Sequence, residues 1–163
     1  MTHATLEQVT ALRQSKQYEQ AKQMMRELLE TDRTNPYYHF QMAWCFDNLG
    51  EEQAAVPHYV FAINNGLDAQ FLTDAYIGLG STYRALGQYA AARDTFTEGL
   101  ARFPDSTGLK TFLALTLFNL KQHEEAMQQL LDVITTMTPD SDVHAYRQVL
   151  RYYRDHLHDV SET

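Results

Sequence analysis

Gly87-Gln88-Tyr89-Ala90-Ala91-Ala92 is the stretch that decides the fold, because three other segments repeat its design: Gln17-Tyr18-Glu19-Gln20-Ala21, Gly50-Glu51-Glu52-Gln53-Ala54-Ala55 and Lys121-Gln122-His123-Glu124-Glu125-Ala126. Counting outward from the alanine that ends each block gives units starting near Thr2, Pro36, Thr73 and Thr107, at spacings of 34, 37 and 34 residues. A period of that size marks a helical solenoid, in which each unit buries its apolar face only against its neighbours. Inside the units the apolar residues keep helical spacing, as in Leu113, Leu117 and Leu120, or Met127, Leu130, Leu131 and Ile134. Turn signals separate them: Asn35-Pro36, Leu49-Gly50, Asn64-Asn65-Gly66, Leu86-Gly87, Phe103-Pro104-Asp105 and Thr138-Pro139-Asp140-Ser141. Small residues recur where two helices must meet, with Ala43, Gly80 and Ala114 on the first helix and Ala55, Ala92 and Ala126 on the second. Their size lets the two backbones approach closely.

On these residues the chain resembles the tetratricopeptide repeat family. The third unit carries Tyr76, Leu79, Gly80, Tyr83, Ala92, Phe96, Gly99 and Pro104 at the eight signature positions. The second keeps Met42, Ala43, Phe46, Ala55, Tyr59 and Ala62, with His39 in place of the usual tryptophan; the fourth keeps Leu113, Ala114, Leu117, Ala126 and Leu130. The first keeps Leu12, Ala21 and Met25, as suits a terminal repeat with one face left unstacked. The runs Tyr37 to Gly50 and Ala75 to Arg84 are most similar to a group of small tetratricopeptide proteins of Gram-positive bacteria without assigned activity.

The resemblance implies an all-α, right-handed α-α superhelix forming a single domain over residues 1–163. Its repeats are expected at about 2–35, 36–72, 73–106 and 107–139. A capping helix is expected at 141–160, with Val143, Tyr146, Val149, Leu150, Tyr153 and Leu157 along one stripe against the fourth repeat. Pro57 interrupts the second helix of the second repeat, so that helix is expected either to begin late or to kink.

A net charge of −8 argues against nucleic acid as a partner, since phosphate recognition needs clustered Lys and Arg. No apolar run reaches the roughly 20 residues that span a bilayer, so no membrane partner is expected. The polar start and the single Cys45 lead to an expected cytoplasmic location. Among the seven histidines, His3, His39, His58, His123, His144, His156 and His158, no two share a helix face at the three- or four-residue spacing that metal sites use. Cys45 falls at a helix contact and reads as core rather than nucleophile. Glu51-Glu52 and Glu124-Glu125 sit at helix starts, where the macrodipole favours them. These residues predict no catalytic centre, no metal and no cofactor.

Function is therefore sought on the surface that, in this family, the first helices line. The register places Tyr37, Phe40, Gln41, Trp44, Asp47 and Asn48 there from the second repeat. Asp74, Ile77, Gly78, Ser81 and Arg84 come from the third, and Phe112, Leu115 and Phe118 from the fourth. Family members that clamp a C-terminal carboxylate use Lys, Arg and Asn at positions that here carry Leu6, Thr10, Gln41, Asp74 and Gly78, so that chemistry is not expected. The groove is aromatic instead, which predicts an interaction module holding a peptide or helical segment of a partner protein, with Trp44, Phe40 and Tyr37 as anchors. The alternative is a homo-oligomer, such as a homodimer, whose groove is filled by its own helix or by a second subunit.

Overall fold

The computed structural model describes residues 5–137 and 141–156, and all regular structure among them is helical. In order these are α1 (Leu6–Gln14), α2 (Tyr18–Thr31), α3 (Pro36–Asn48), α4 (Glu52–Asn64), α5 (Ala69–Ala85), α6 (Tyr89–Arg102), α7 (Thr107–Asn119), α8 (His123–Met137) and α9 (Ser141–Asp155). Helix starts follow local chemistry. The Thr5 hydroxyl and the Gln8 side chain close a capping box on α1, and the Asn35 side chain accepts from the Tyr37 and Tyr38 amides with Pro36 in the first turn of α3. Ser106 caps α7 by accepting from the Leu109 amide.

The turn between the two helices of every repeat has one design. The amides of Gln17, Glu51, Gln88 and Gln122 donate to the carbonyls of Leu12, Phe46, Tyr83 and Leu117, five residues back in each case. This is the helix-ending motif whose penultimate residue lies in the left-handed region. That residue is Lys16 (φ 59°), Gly50 (71°), Gly87 (72°) and Lys121 (66°).

The chain divides into two compact units, one through Gln88 and the other from Tyr89. In the first, α1 to α5 pack in sequence, each against the next. Val9, Ala21, Met25, Leu28, Met42 and Cys45 form a buried cluster, and Ala43 and Ala55 are fully buried at the close approach of α3 and α4. Lys22 is buried at 6 % exposure, its ammonium 2.8 Å from Glu51 and 3.1 Å from Glu19. The two carboxylates raise its pKa, chiefly through the Glu51 hydrogen bond. In the second unit α6 packs on α7, α7 on α8 and α8 on α9. Ala92, Phe96, Leu109, Leu113, Ala114, Leu117 and Ala126 are buried there. Lys110 of α7 and Arg154 of α9 both pair with Asp132 of α8, at 2.6 and 3.2 Å.

Three expectations need correction. The first helix of the third repeat begins at Ala69, a turn before Thr73, so the longer 37-residue spacing is taken up by added helix that brings Phe71 into the structure. Helix α4 starts at Glu52, five residues ahead of exposed Pro57, so of the two alternatives expected there the late start is the one that falls. The final helix packs on α8 with part of the expected stripe: Leu150 is half-buried as expected, whereas Tyr146 and Val149 are exposed and Arg147 and Arg154 are half-buried beside it. On that face Arg154 pairs with Asp132 of α8. Leu157 and the expected end of the cap at residue 160 lie outside the described residues, as do the side chains of Val143 and Tyr153.

Candidate functional site

Helix α3 sends Tyr37, Phe40, Gln41, Trp44 and Asn48 to one side, three and four residues apart as a helix face requires. They do not reach the same depth. Phe40 and Gln41 are buried, at 2 % and 5 % exposure, which corrects the expectation of a solvent-facing Phe40. The Phe40 ring lies 6.2 Å from Tyr37, 5.9 Å from Trp44, 6.3 Å from Tyr59 and 6.0 Å from Phe71, so it forms an aromatic floor. Tyr37 leans on Phe71 at 4.7 Å. Trp44 stays 38 % exposed above that floor.

Arg13, from α1, braces the tryptophan. Its guanidinium sits 3.6 Å from the Trp44 ring centroid and donates to the side-chain oxygen of Gln41. Burial lowers its pKa, against smaller opposing effects. Sequence spacing gives no sign of Arg13 or Phe71, since both reach the site from other helices.

Between α3 and α5 lies a cavity of about 330 Å³ lined by Trp44, Asp47, Asn48, Tyr59, Asp74, Ile77, Gly78 and Ser81. The repeat register places all of these except Tyr59 on this face. Asp47 is anchored on both oxygens: the Tyr59 hydroxyl donates to one at 2.7 Å, and the Thr82 hydroxyl stands 2.8 Å from the other. Burial raises the Asp47 pKa, with the two hydrogen bonds opposing it. Gly78 is where Tyr59 fits, because a Cβ there would come within 2.5 Å of the Tyr59 ring. A second cavity of about 310 Å³ is lined by Thr10, Arg13, Gln14, Tyr18, Trp44 and Asn48. Trp44 and Asn48 border both, whereas Arg13 borders only the second. Arg84, also placed on this face by the register, is half-buried.

In the unit from Tyr89 onward, Phe112 is half-buried and stacks on Phe96 at 6.2 Å. Leu115 and Phe118 are exposed, and Phe118 tilts against His123 at 4.9 Å.

Two further groups bear on chemistry. The Cys45 thiol is fully buried, and desolvation pushes its pKa up to about 11, which removes the thiolate that nucleophilic attack needs. His39 and His58 meet across α3 and α4 with their Nδ1 atoms 2.9 Å apart, a pairing invisible to spacing along one helix. His39 Nε2 lies 3.0 Å from the Arg33 carbonyl. The rings are flanked by Phe61 and Phe46. Among the described residues no group of three His, Cys, Asp or Glu is arranged to hold a metal ion, and no helix is long and apolar enough to cross a membrane.

Comparison with known proteins agrees with this architecture. No curated protein matches the chain. Among solved structures, MamA of Desulfovibrio magneticus RS-1, from its residue 41 to its end, superposes with a TM-score of 0.68 at 18% identity, covering 94% of each chain. YrrB, described as a TPR protein with an unusual peptide-binding site, superposes at 0.69 with 17% identity, over 86% of this chain and 71% of its own. At such identities the likeness speaks for the fold alone. Sequence profiles described as "Tetratrico peptide repeat" and "Tetratricopeptide repeat" match residues 36–157 and 8–35. With the helix pairs, their shared turn and these matches in hand, the chain belongs to the tetratricopeptide repeat family.

Proposed function

We propose that this protein is a non-enzymatic interaction module that binds a segment of a partner protein along the face shared by α3 and α5, with Trp44 as its anchor. One observation carries the reading. Trp44 is held in place from two sides, by Arg13 and Phe40, yet keeps more than a third of its surface open between two cavities. A rigid, partly exposed tryptophan loses little conformational entropy when a partner covers it, which is why such residues dominate binding energy. Tyr37, Asn48, Ile77, Ser81 and Arg84 extend the same surface. Phe40 and Gln41 support it from beneath. Leu115 and Phe118 offer a separate apolar contact on α7, with Phe112 partly covered behind them. The peptide-binding site named for YrrB supports the reading by family resemblance.

The test is affinity capture from a bacterial extract with wild type and Trp44→Ser, identifying what is retained by mass spectrometry. Trp44 is the suitable position because Phe40 is core and its removal would damage the fold. A partner held by wild type and lost by a Trp44→Ser protein of unchanged helicity is expected; retention of the same partners by both would overturn the proposal.

A second reading is favoured by α9, where Tyr146, Val149 and Tyr152 are exposed at helical spacing. Such a stripe suits self-association. Light scattering at micromolar concentration distinguishes a monomer from a dimer, and Tyr146→Ser with Val149→Ser should dissolve any dimer formed through α9.

A further inference from the structure

Resting on the reading of this face as a peptide site, we propose that the cavity between α3 and α5 seats an arginine side chain of the bound segment, placed against Trp44 and held by the carboxylates of Asp47 and Asp74. Three of the donors around the cavity are already used, while the Trp44 indole N–H and the second N–H of the Asn48 amide have no partner among the described residues. The Tyr59 hydroxyl donates to Asp47, the Thr82 hydroxyl is shared between Asp47 and the Gly78 carbonyl, and the Asn48 amide nitrogen donates to the Trp44 carbonyl at 2.8 Å. Acceptors are left: the Asn48 side-chain oxygen, the remaining lone pairs of Asp47 and both oxygens of Asp74. Ser81 adds a hydroxyl that is buried without a hydrogen-bond partner. The two carboxylates tip this balance toward acceptors and favour a ligand rich in donors.

Charge narrows the choice. Among the described residues neither Asp47 nor Asp74 forms an ion pair with a Lys or Arg, so two carboxylates border one cavity with no cation of the chain between them. The direction of the Asp47 pKa agrees, since burial of its charge goes uncompensated by a neighbouring cation. A net charge of −8 favours a basic segment over longer distances. Arginine fits better than lysine. Its guanidinium presents five donors in a flat fork, pairs with carboxylates two bonds at a time, and stacks on an aromatic ring. Arg13 already shows that stacking on Trp44, and it borders the other cavity only. The volume, about 330 Å³, is enough for one long side chain. The same acceptors repel a peptide carboxylate.

The experiment uses the full chain and three capped peptides: Ac-Leu-Arg-Leu-NH2, its counterpart with neutral, nearly isosteric citrulline, and its counterpart with glutamate. Trp44 is the one tryptophan of the sequence, so fluorescence and the indole N–H resonance report on this wall without a label. A saturable change with the arginine peptide is expected, with about tenfold weaker binding of citrulline, the order expected for loss of a charge-assisted pair and a cation–π contact. No response to glutamate is expected. Asp74→Asn should remove the preference for arginine while leaving the melting curve unchanged, because that carboxylate is exposed and supports no other group. Equal binding of arginine and citrulline, no saturable response to arginine, or an Asp74→Asn protein that binds like wild type would overturn the proposal. A random-sequence peptide library separates this outcome from failure of the wider reading. Peptides captured through Trp44 without arginine enrichment leave the peptide face standing and remove the arginine seat. An Asp74-dependent arginine response with no library capture does the reverse.

Discussion

Gly78 and Tyr59 show how tightly single residues set this site. An alanine Cβ at position 78 would lie 2.5 Å from the ring of a fully buried tyrosine, so either the ring or α5 must move. Gly to Ala in an open helix gains about 1 kcal/mol. Here the overpacking cost of about 1–3 kcal/mol wins. Gly78→Ala should therefore lower stability in urea by a net of about 1 kcal/mol and disturb the Tyr59 to Asp47 hydrogen bond. The histidine pair gives a prediction in pH. Burial, with a smaller contribution from His39, pushes the His58 pKa down from 6.5 to about 4. Arg26, Glu30 and Arg33 line the surface beside the pair. The unfolded chain thus binds the proton more readily than the folded one. The stability contributed is complete above pH 6.5 and is lost as pH falls toward 4, on the order of 2 kcal/mol in all after allowance for solvent screening. Melting curves across that range should show it, and His58→Asn should flatten the slope. At this scale the sequence discloses which residues of α3 and α5 share a face, because helical spacing determines that. It does not disclose Arg13, Phe71 or the contact of His39 with His58, which join residues of different helices and depend on how the helices pack.

At the scale of elements, the repeating turn is legible because a left-handed residue leaves its mark as glycine. Gly50 and Gly87 fill that position in the inner repeats, while Lys16 and Lys121 fill it in the outer ones. A side chain in the left-handed region costs roughly 1–2 kcal/mol, partly offset by the greater freedom glycine has in the unfolded chain. Lys16→Gly and Lys121→Gly should each stabilise the protein by about 0.5–1 kcal/mol in chemical denaturation. Unchanged midpoints would mean that the lysines gain elsewhere what their backbones lose. Element boundaries are less legible. The early start of α5 cannot be read from a period that only lengthens by three residues. The apolar stripe of α9 misleads at Tyr146 and Val149, which are exposed, and is followed at Leu150, because apolar spacing alone does not say how much of a wide face a single neighbouring helix covers.

At the scale of the whole molecule, 21 acidic residues against 13 basic ones leave a chain that repels itself. Raising salt from low to physiological strength shortens the Debye length from about 30 to about 8 Å, which should raise the melting temperature. A fall would mean that attractive pairs outweigh the general repulsion. The fold is readable here because a repeat states its plan four times, so that errors in one copy are corrected by the others. Partner identity has no such redundancy.

Lys22 can report on how often its repeat opens. Its amine is enclosed by Glu19 and Glu51 where α2 meets the segment joining α3 to α4, and an enclosed ammonium cannot be acylated. Its reaction with an amine-selective reagent therefore requires that the first repeat come away from the second. Modification of Lys22, timed against exposed Lys16 in the same sample by mass spectrometry, becomes a clock for that opening. Equal rates at the two lysines would show that the first repeat is open most of the time, and a large lag would measure how rarely it lets go.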